Sequence, residues 1–406
     1  MTSKERFLKY VSYHTTSSEE SETSPSTMRQ LDLSRELLAE MKDLGLRDVF
    51  MDSCGNVIGT LPAAPDTEAP VVALIAHVDT SCAASGENVH AREVLYDGTE
   101  IVLGHGVTLG ESRFPFMKEV RGKKLLVTDG STLLGADDKA GVAEIMTAVE
   151  TLLREEIPHG ELRIIFTTDE EVGRGTEGLD VNALGCRWAY TVDGGALGGY
   201  EYENFNAASA RVRFHGVGIH PGSAKGIMKN AATIGMEFHA LLPADQVPEK
   251  TEGYEGFIHL MNMTGNVVEA ELDYIIRDHD KELFEAKKRL ILDAADKING
   301  IYGPGTAEAE LRDGYYNMKE KILPHAHLLT RAEDAFRACG VTPYSEPVRG
   351  GTDGAVLTWE GLPCPNLSTG GYNFHGVQEF IPVDSLEIMP RVLIEIVKSF
   401  CGDRTA

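Results

Sequence analysis

Basic residues are scarce in this chain. Its 38 Lys and Arg face 63 Asp and Glu, a formal charge of −25. Such a surface repels phosphate backbones and anionic lipid, so neither nucleic acid nor a membrane is an expected partner. Long apolar runs are missing as well. None approaches 18 residues, and the stretch Met1-Thr2-Ser3-Lys4-Glu5-Arg6 holds no apolar signal core, so the cytoplasm is the expected compartment. Nor is there a Cys-x-x-Cys pair. Cys54, Cys82, Cys186, Cys339, Cys364 and Cys401 are scattered and read as reduced thiols, not as a disulfide framework. What remains is an ordinary globular composition, 42% hydrophobic and 25% charged. At 406 residues it exceeds one compact core, and two domains are expected.

The run Val71-Val72-Ala73-Leu74-Ile75-Ala76 reads as a strand buried on both faces, ending in His77-Val78-Asp79. In extended backbone His77 and Asp79 share a side, roughly 6–7 Å apart at the root. That spacing suits an imidazole on a metal steadied by a carboxylate, although a lone His-x-Asp is more often a capped strand end. The plan recurs: Leu162–Phe166 runs into Thr167-Thr168-Asp169-Glu170-Glu171, and Trp188–Val192 runs into Asp193. Between them Gly135-Ala136-Asp137-Asp138-Lys139 opens a helix to about Arg154. Helices are also predicted over 3–13, from a Ser24-Pro25 cap to Gly45, and over 384–400, with a hairpin over 49–61. The weakly patterned 80–130 is expected to form a functional loop or small strands.

Strands alternating with helices imply an α/β fold with a mixed, largely parallel sheet flanked by helices, whose sites lie beyond the carboxyl ends of the strands. From about 206 the rhythm becomes β-α-β-β-α-β: strand 207–214, helix 225–242, strands 255–262 and 267–276, helix 280–298, strand 306–313. This is an inserted α+β ferredoxin-like arrangement. The expected boundaries are 1–205 with 318–406 for a discontinuous catalytic domain, and 206–317 for an inserted lid or dimerisation domain.

His77, Asp79, Asp137, Glu170, Glu171, Asp193 and the later His375 make a ligand set of imidazoles and carboxylates without sulfur. It suits zinc, cobalt or manganese. So many anions brought together call for cations, and two divalent ions bridged by one carboxylate would relieve the repulsion. Taken alone, Glu170-Glu171 reads as solvated surface. Arg277 ends an apolar strand and Arg349 precedes a glycine-rich turn. Each is either a surface ion-pair partner or a bidentate grip for a peptide carboxylate.

Five segments, Ala76-His77-Val78-Asp79, Gly135–Gly141, Thr168–Gly173, Val192–Gly195 and Asn373-Phe374-His375-Gly376, resemble in order and spacing the M20 family of dinuclear zinc peptidases. The resemblance runs nearly the whole chain. It implies two zinc ions per subunit, bridged by Asp137, with His77 and Asp193 on one and Glu171 and His375 on the other. It further implies Asp79 as the catalytic carboxylate behind His77 and Glu170 as general base. His220, in Gly218-Ile219-His220-Pro221-Gly222, would stabilise an oxyanion, and Arg277 and Arg349 would bind substrate. Without the resemblance His220 is only a loop histidine, and Asp137 is not separable from Asp138. The implied activity is release of the N-terminal residue from tripeptides by a homodimer; a dipeptidase, N-acyl amino acid deacylase or carboxypeptidase would use the same ligands.

Two rivals from other classes are weaker. Gly173-Arg174-Gly175-Thr176-Glu177-Gly178 spells a dinucleotide fingerprint, but Asp169, Glu170, Glu171 and Glu177 would repel a pyrophosphate. A catalytically dead binding protein would lack a ligand or the base, and here every position is filled.

Overall fold

A computed structural model describes residues 1–403, which fall into two compact units. The first comprises 1–202, 320–345 and 352 to the last described residue, 403; the second comprises 203–319 and 346–351.

The first unit opens with α1 (Ser3–Tyr10) and α2 (Gln30–Asp43), then the strands β1 (Arg47–Met51), β2 (Val57–Leu61) and β3 (Val72–His77). Four short strands follow: β4 (Arg92–Leu95), β5 (Ile101–Gly104), β6 (Val107–Leu109) and β7 (Lys124–Val127). They enclose a small core of Tyr96, Ile101, Leu109, Met117 and Val127, so of the two expectations for 80–130 the small strands hold, gathered into a lobe. Next come α3 (Ala136–Arg154), β8 (Leu162–Thr167), α4 (Val181–Leu184), β9 (Trp188–Gly194) and β10 (Tyr200–Glu201). The second unit holds β11 (Asn206–His215), α5 (Ala231–His239), β12 (Phe257–Gly265), β13 (Glu269–Asp278), α6 (Lys281–Tyr302) and β14 (Ala307–Tyr315). The chain closes with α7 (Lys319–Ile322), α8 (His327–Ala338), α9 (Asp353–Trp359), β15 (Asn366–Ser368), β16 (Phe380–Pro382) and α10 (Val383–Ser399).

The large sheet has the order β1-β2-β8-β3-β9-β15-β10. Its four central strands, β8, β3, β9 and β15, run parallel, and the outer ones are antiparallel. Every residue of β3 is buried, as an unbroken apolar run demands when both faces are covered. Leu74 and Val72 pack with α3 and α10, while Ala73 and Ile75 face Leu357 and Cys364. Burying one such aliphatic side chain contributes about 1.5–3 kcal/mol. Parallel strands all point their carboxyl ends the same way, which places His77, Thr167 and Asp193 on one edge.

The second sheet has the order β12-β13-β11-β14, all antiparallel, with α5 and α6 covering the face that carries Val212, Phe214, Leu272 and Ile276. This is the ferredoxin-like order. Residues 346–351, read from the sequence with the first domain, fold with this unit: the Val348 N–H donates to the Glu203 carbonyl at 2.8 Å.

Two helix starts differ from the sequence reading. The helix expected from Ser24-Pro25 begins only at Gln30, because the Ser26 N–H and hydroxyl and the Gln30 amide are drawn to buried Asp169. The helix expected over 225–242 is confined to Ala231–His239, where Asn230 caps the Ala232 and Thr233 amides. Among the described residues no helix is long and apolar enough to cross a membrane.

Candidate metal centre

Five segments of the first unit converge at the carboxyl edge of the parallel strands. β3 delivers His77, and β9 delivers Asp193 at its penultimate position. β8 ends at Thr167, and left-handed Asp169 (φ 60°) turns the chain into a single turn bearing Glu170 and Glu171. The start of α3 supplies Asp137, and the loop before β16 supplies His375, itself left-handed at φ 64°.

Asp137 lies between the two imidazoles. Its Oδ1 is 2.9 Å from His77 Nε2, and its Oδ2 is 3.0 Å from His375 Nε2. His77 Nε2 also lies 3.3 Å from Asp193 Oδ1, and His375 Nε2 lies 3.0 Å from Glu171 Oε2. Two donors bound to one zinc at about 2.0–2.1 Å in tetrahedral geometry would be roughly 3.3 Å apart, so these separations are close to coordination edges. Donor atoms of His77, Asp137 and Glu171, and of His77, Glu170 and Asp193, each fall within 4.8 Å of one another. Glu171 Oε1 is buried without a hydrogen-bond partner among the described residues. Asp137 and Asp138 are joined by a cis peptide.

The electrostatics mark an anion cluster in need of cations. Burial drives the Asp193 carboxyl up to about 7. Burial, then Asp193, push Glu170 well above the ordinary carboxylate range, and burial with Asp137 raises Glu171. Burial opposes the charge on His77, yet the carboxylates of Asp193, Asp137 and Asp79 outweigh it and hold the imidazole well above its usual pKa. Hydrogen bonds to Asp137 and Glu171 lift His375 to about 11. In the metal-free protein, protons thus do the neutralising that divalent ions would do better. The donor set, its spacing and the orphaned Glu171 oxygen all fit a two-ion centre.

Asp79 does more than the sequence suggested. His77 Nδ1 sits 3.1 Å from the Asp79 carbonyl and 3.3 Å from its Oδ1, which fixes the proton on Nδ1 and turns Nε2 to the site. The same carboxylate accepts the Glu170 N–H on Oδ1 at 3.1 Å and the Glu171 N–H on Oδ2 at 3.2 Å. One side chain therefore sets both the imidazole and the glutamate turn.

Several supporting residues escaped the sequence reading. Asp138, fully buried, accepts the His77 N–H at 3.1 Å and the Gly141 N–H at 3.2 Å. Glu379 accepts three N–H groups at the start of α3. Buried Lys139 donates to the Tyr13 carbonyl at 2.8 Å; burial lowers its pKa to about 7 against the pull of Glu379 and Asp79. Asp353 accepts from the Thr167 hydroxyl at 2.8 Å, and a Cβ on Gly175 would sit 2.2 Å from Asp353 Oδ1. The second glycine of the apparent dinucleotide motif thus makes room for a carboxylate. No helix opens at 173–178, so that motif has lost its context. None of these residues carries a periodic or spacing signal of its own.

The other three expected residues belong to the second unit. His220 is exposed, and its Nδ1 accepts the Gly222 N–H at 3.1 Å, so its proton sits on Nε2. Arg277 lies 5.5 Å from the Tyr315 ring centre, and both its hydrogen bonds, to the Ala208 and Ile276 carbonyls, run from Nη1. Arg349 stacks on Phe205 at 5.0 Å and gives Nη1 and Nη2 to the carbonyls of Thr251, Gly253 and Glu255 and the Thr251 hydroxyl. It clamps the 251–255 segment in this structure.

Comparison with known proteins gives a consistent set of relatives. Residues 202–303 match the profile of a peptidase dimerisation domain. A peptidase T from Caldanaerobacter subterraneus subsp. tengcongensis is 52% identical over 98% of both chains. The crystal structure of aminopeptidase PepT from Bacillus cereus superposes with a TM-score of 0.77, at 24% identity and 98% coverage of both chains. A dinuclear metal-binding M20 peptidase from Bacillus subtilis superposes at 0.64, with 15% identity and 98% coverage of both chains.

Proposed function

Since the chain belongs to the peptidase T family of M20 metallopeptidases, and is therefore a metal-dependent peptide hydrolase, we propose that it is a tripeptide aminopeptidase with a two-zinc site. The observation that carries this reading is Asp137 facing His77 with one oxygen and His375 with the other, as a bridging carboxylate must. In this reading His77 and Asp193 would hold one ion, Glu171 and His375 the other, and Asp137 would be shared. Zinc, or cobalt or manganese in its place, would supply Lewis-acid activation of a water and of the scissile carbonyl.

The chain's own groups do the rest. Glu170 takes a proton from the attacking water on its carboxylate and returns it to the leaving amine; burial, then Asp193, raise its proton affinity above that of an ordinary carboxylate, in the direction a general base needs. Asp79 keeps Glu170 and the His77 ring in register through the contacts above. His220, with its proton on Nε2, is the proposed donor to the developing oxyanion. Arg277 is the proposed grip on the peptide's carboxylate, using Nε and Nη2. Arg349 takes that role only by exchanging the 251–255 carbonyls for the carboxylate. The dimerisation-domain match supports a homodimer, and the cytoplasm is the proposed compartment. The alternative within the family is a dipeptidase, deacylase or carboxypeptidase, because the metal ligands do not set substrate length.

The test is a panel of di-, tri- and tetrapeptides and N-acylated tripeptides, assayed before and after chelation. Tripeptides with a free amine should be cut best, chelation should abolish cutting, and Glu170→Gln should retain metal while losing about 10²–10⁴-fold in rate. Efficient cleavage of N-acylated peptides would refute the aminopeptidase reading.

A further inference from the structure

Past the non-helical Asp137 and Asp138, α3 is capped locally by Asp138, whose Oδ1 accepts the Gly141 N–H at 3.2 Å, but the backbone leading into it has no local cap. Gly135, left-handed at φ 81°, offers no side chain to the N–H groups of Leu134, Gly135 and Asp137. Those donors are satisfied from more than 240 residues away. Glu379, 1% exposed, accepts the Leu134 and Gly135 N–H groups on Oε2 at 2.7 and 2.8 Å, and the Asp137 N–H on Oε1 at 3.1 Å.

Glu379 is also four residues beyond His375, at the root of the same loop. That loop is closed at its base by paired backbone bonds between Tyr372 and Phe380, at 2.9 and 3.1 Å, whose rings stack at 4.9 Å. Within it Asn373 Nδ2 donates to the Gln378 carbonyl at 3.1 Å, and the Glu379 N–H donates to the Gly376 carbonyl at 3.1 Å. Phe116 stacks on Tyr372 at 5.5 Å and holds the loop from the β4–β7 side. The regular helix already has its local Asp cap, so Glu379 is not needed for that; it serves the backbone of 134–137 that carries Asp137, and it comes from the segment that supplies the second imidazole.

We propose that Glu379 is a positioning residue that locks Asp137 between the two histidines, joining the His375 loop to the backbone of 134–137. The inference rests on the two-ion reading above. In Glu379→Gln one oxygen can still serve Leu134 and Gly135, but the amide then turns an N–H toward the Asp137 N–H. Asp137 should swing free while the helix start stays capped.

The test compares wild type with Glu379→Gln and with Glu379→Asp, which withdraws the carboxylate by one methylene. Both are titrated with Zn²⁺ against a chromogenic chelator, and with Co²⁺ by its visible absorption. Each variant should bind at least one of the two ions 10–100-fold more weakly, with an altered cobalt spectrum, and kcat should fall while KM stays within twofold. Wild-type affinity for both ions with an unchanged cobalt spectrum would overturn the proposal, even if the melting temperature dropped. Should neither variant fold, hydrogen exchange on chelator-treated wild type decides. Protected amides at Leu134, Gly135 and Asp137 support a clasp built into the fold, and loop-like exchange there overturns it. A wild type that takes up no second ion refutes the two-ion reading, independently of the exchange result.

Discussion

Replacing Asp79 with Asn keeps the shape of the side chain and removes one acceptor. The carboxylate holds the Glu170 N–H on Oδ1 and the Glu171 N–H on Oδ2, with His77 Nδ1 at 3.3 Å from Oδ1. A carboxamide has a single oxygen, so its NH2 group must confront either the Glu171 N–H or the pair formed by Glu170 N–H and His77 Nδ1. At least one charge-assisted bond, worth about 1.5–3 kcal/mol, is lost inside a fully buried pocket, and the proton on Nδ1 loses its nearby charge. Spread over the turn that presents both glutamates, about 2 kcal/mol corresponds to roughly 30-fold in an equilibrium or rate. Initial rates on a tripeptide at saturating metal should therefore show kcat/KM down by about 10–100-fold, carried mainly by kcat. Competition titration should show weaker binding at the His77 side. A variant within twofold of wild type in both rate and metal affinity would refute the claim that Asp79 sets the geometry of the centre.

Gly141→Ala should cost about 1–3 kcal/mol, because a Cβ there would lie 1.9 Å from the Val192 carbonyl and press α3 off the strand that carries Asp193; thermal melting and metal content should fall together. Glu144, buried on α3 with both oxygens unpartnered among the described residues, has its pKa raised well above the carboxylate range by burial. A raised acid means the folded state holds the proton more tightly, so this penalty is absent below the unfolded pKa and grows as pH rises through it, by at most about 1.4 kcal/mol per unit. Glu144→Met should therefore stabilise the protein, and more at pH 8 than at pH 5, by equilibrium unfolding at the two values; an equal effect at both would contradict the assignment. Among the cysteines, exposed Cys82 should react first with a thiol reagent, whereas Cys186, pushed by burial up to about 12, and fully buried Cys364 should stay silent until unfolding.

Much of the site was legible because strand ends in a parallel sheet are a place the sequence can announce. An unbroken apolar run such as 72–76 has one stable setting, covered on both faces, and whatever follows it must emerge at the common edge. His77, Glu170, Glu171 and Asp193 were exposed to reading for that reason. The β-α-β-β-α-β order of the second unit was legible from period changes alone. For 80–130 small strands were only one of two expectations and had no positions, because strands of three or four residues are shorter than any dependable alternation. The helix at 30–43 was misjudged at its start because Ser26 and Gln30 answer to Asp169, some 140 residues on, and not to their neighbours.

The chain's order of residues determined its classes of element, its anionic character and the identity of the imidazoles and carboxylates available for a metal. Tertiary structure alone decided which oxygen of which carboxylate meets which ring. It placed Asp137 rather than Asp138 between His77 and His375, set Asp138 behind the His77 amide, and brought Glu379 to a helix start it does not adjoin. The physical reason is range. Propensity and periodicity act over a few residues and are written locally, whereas a hydrogen bond or an ion pair is fixed by angstroms between atoms that only the packed core brings together.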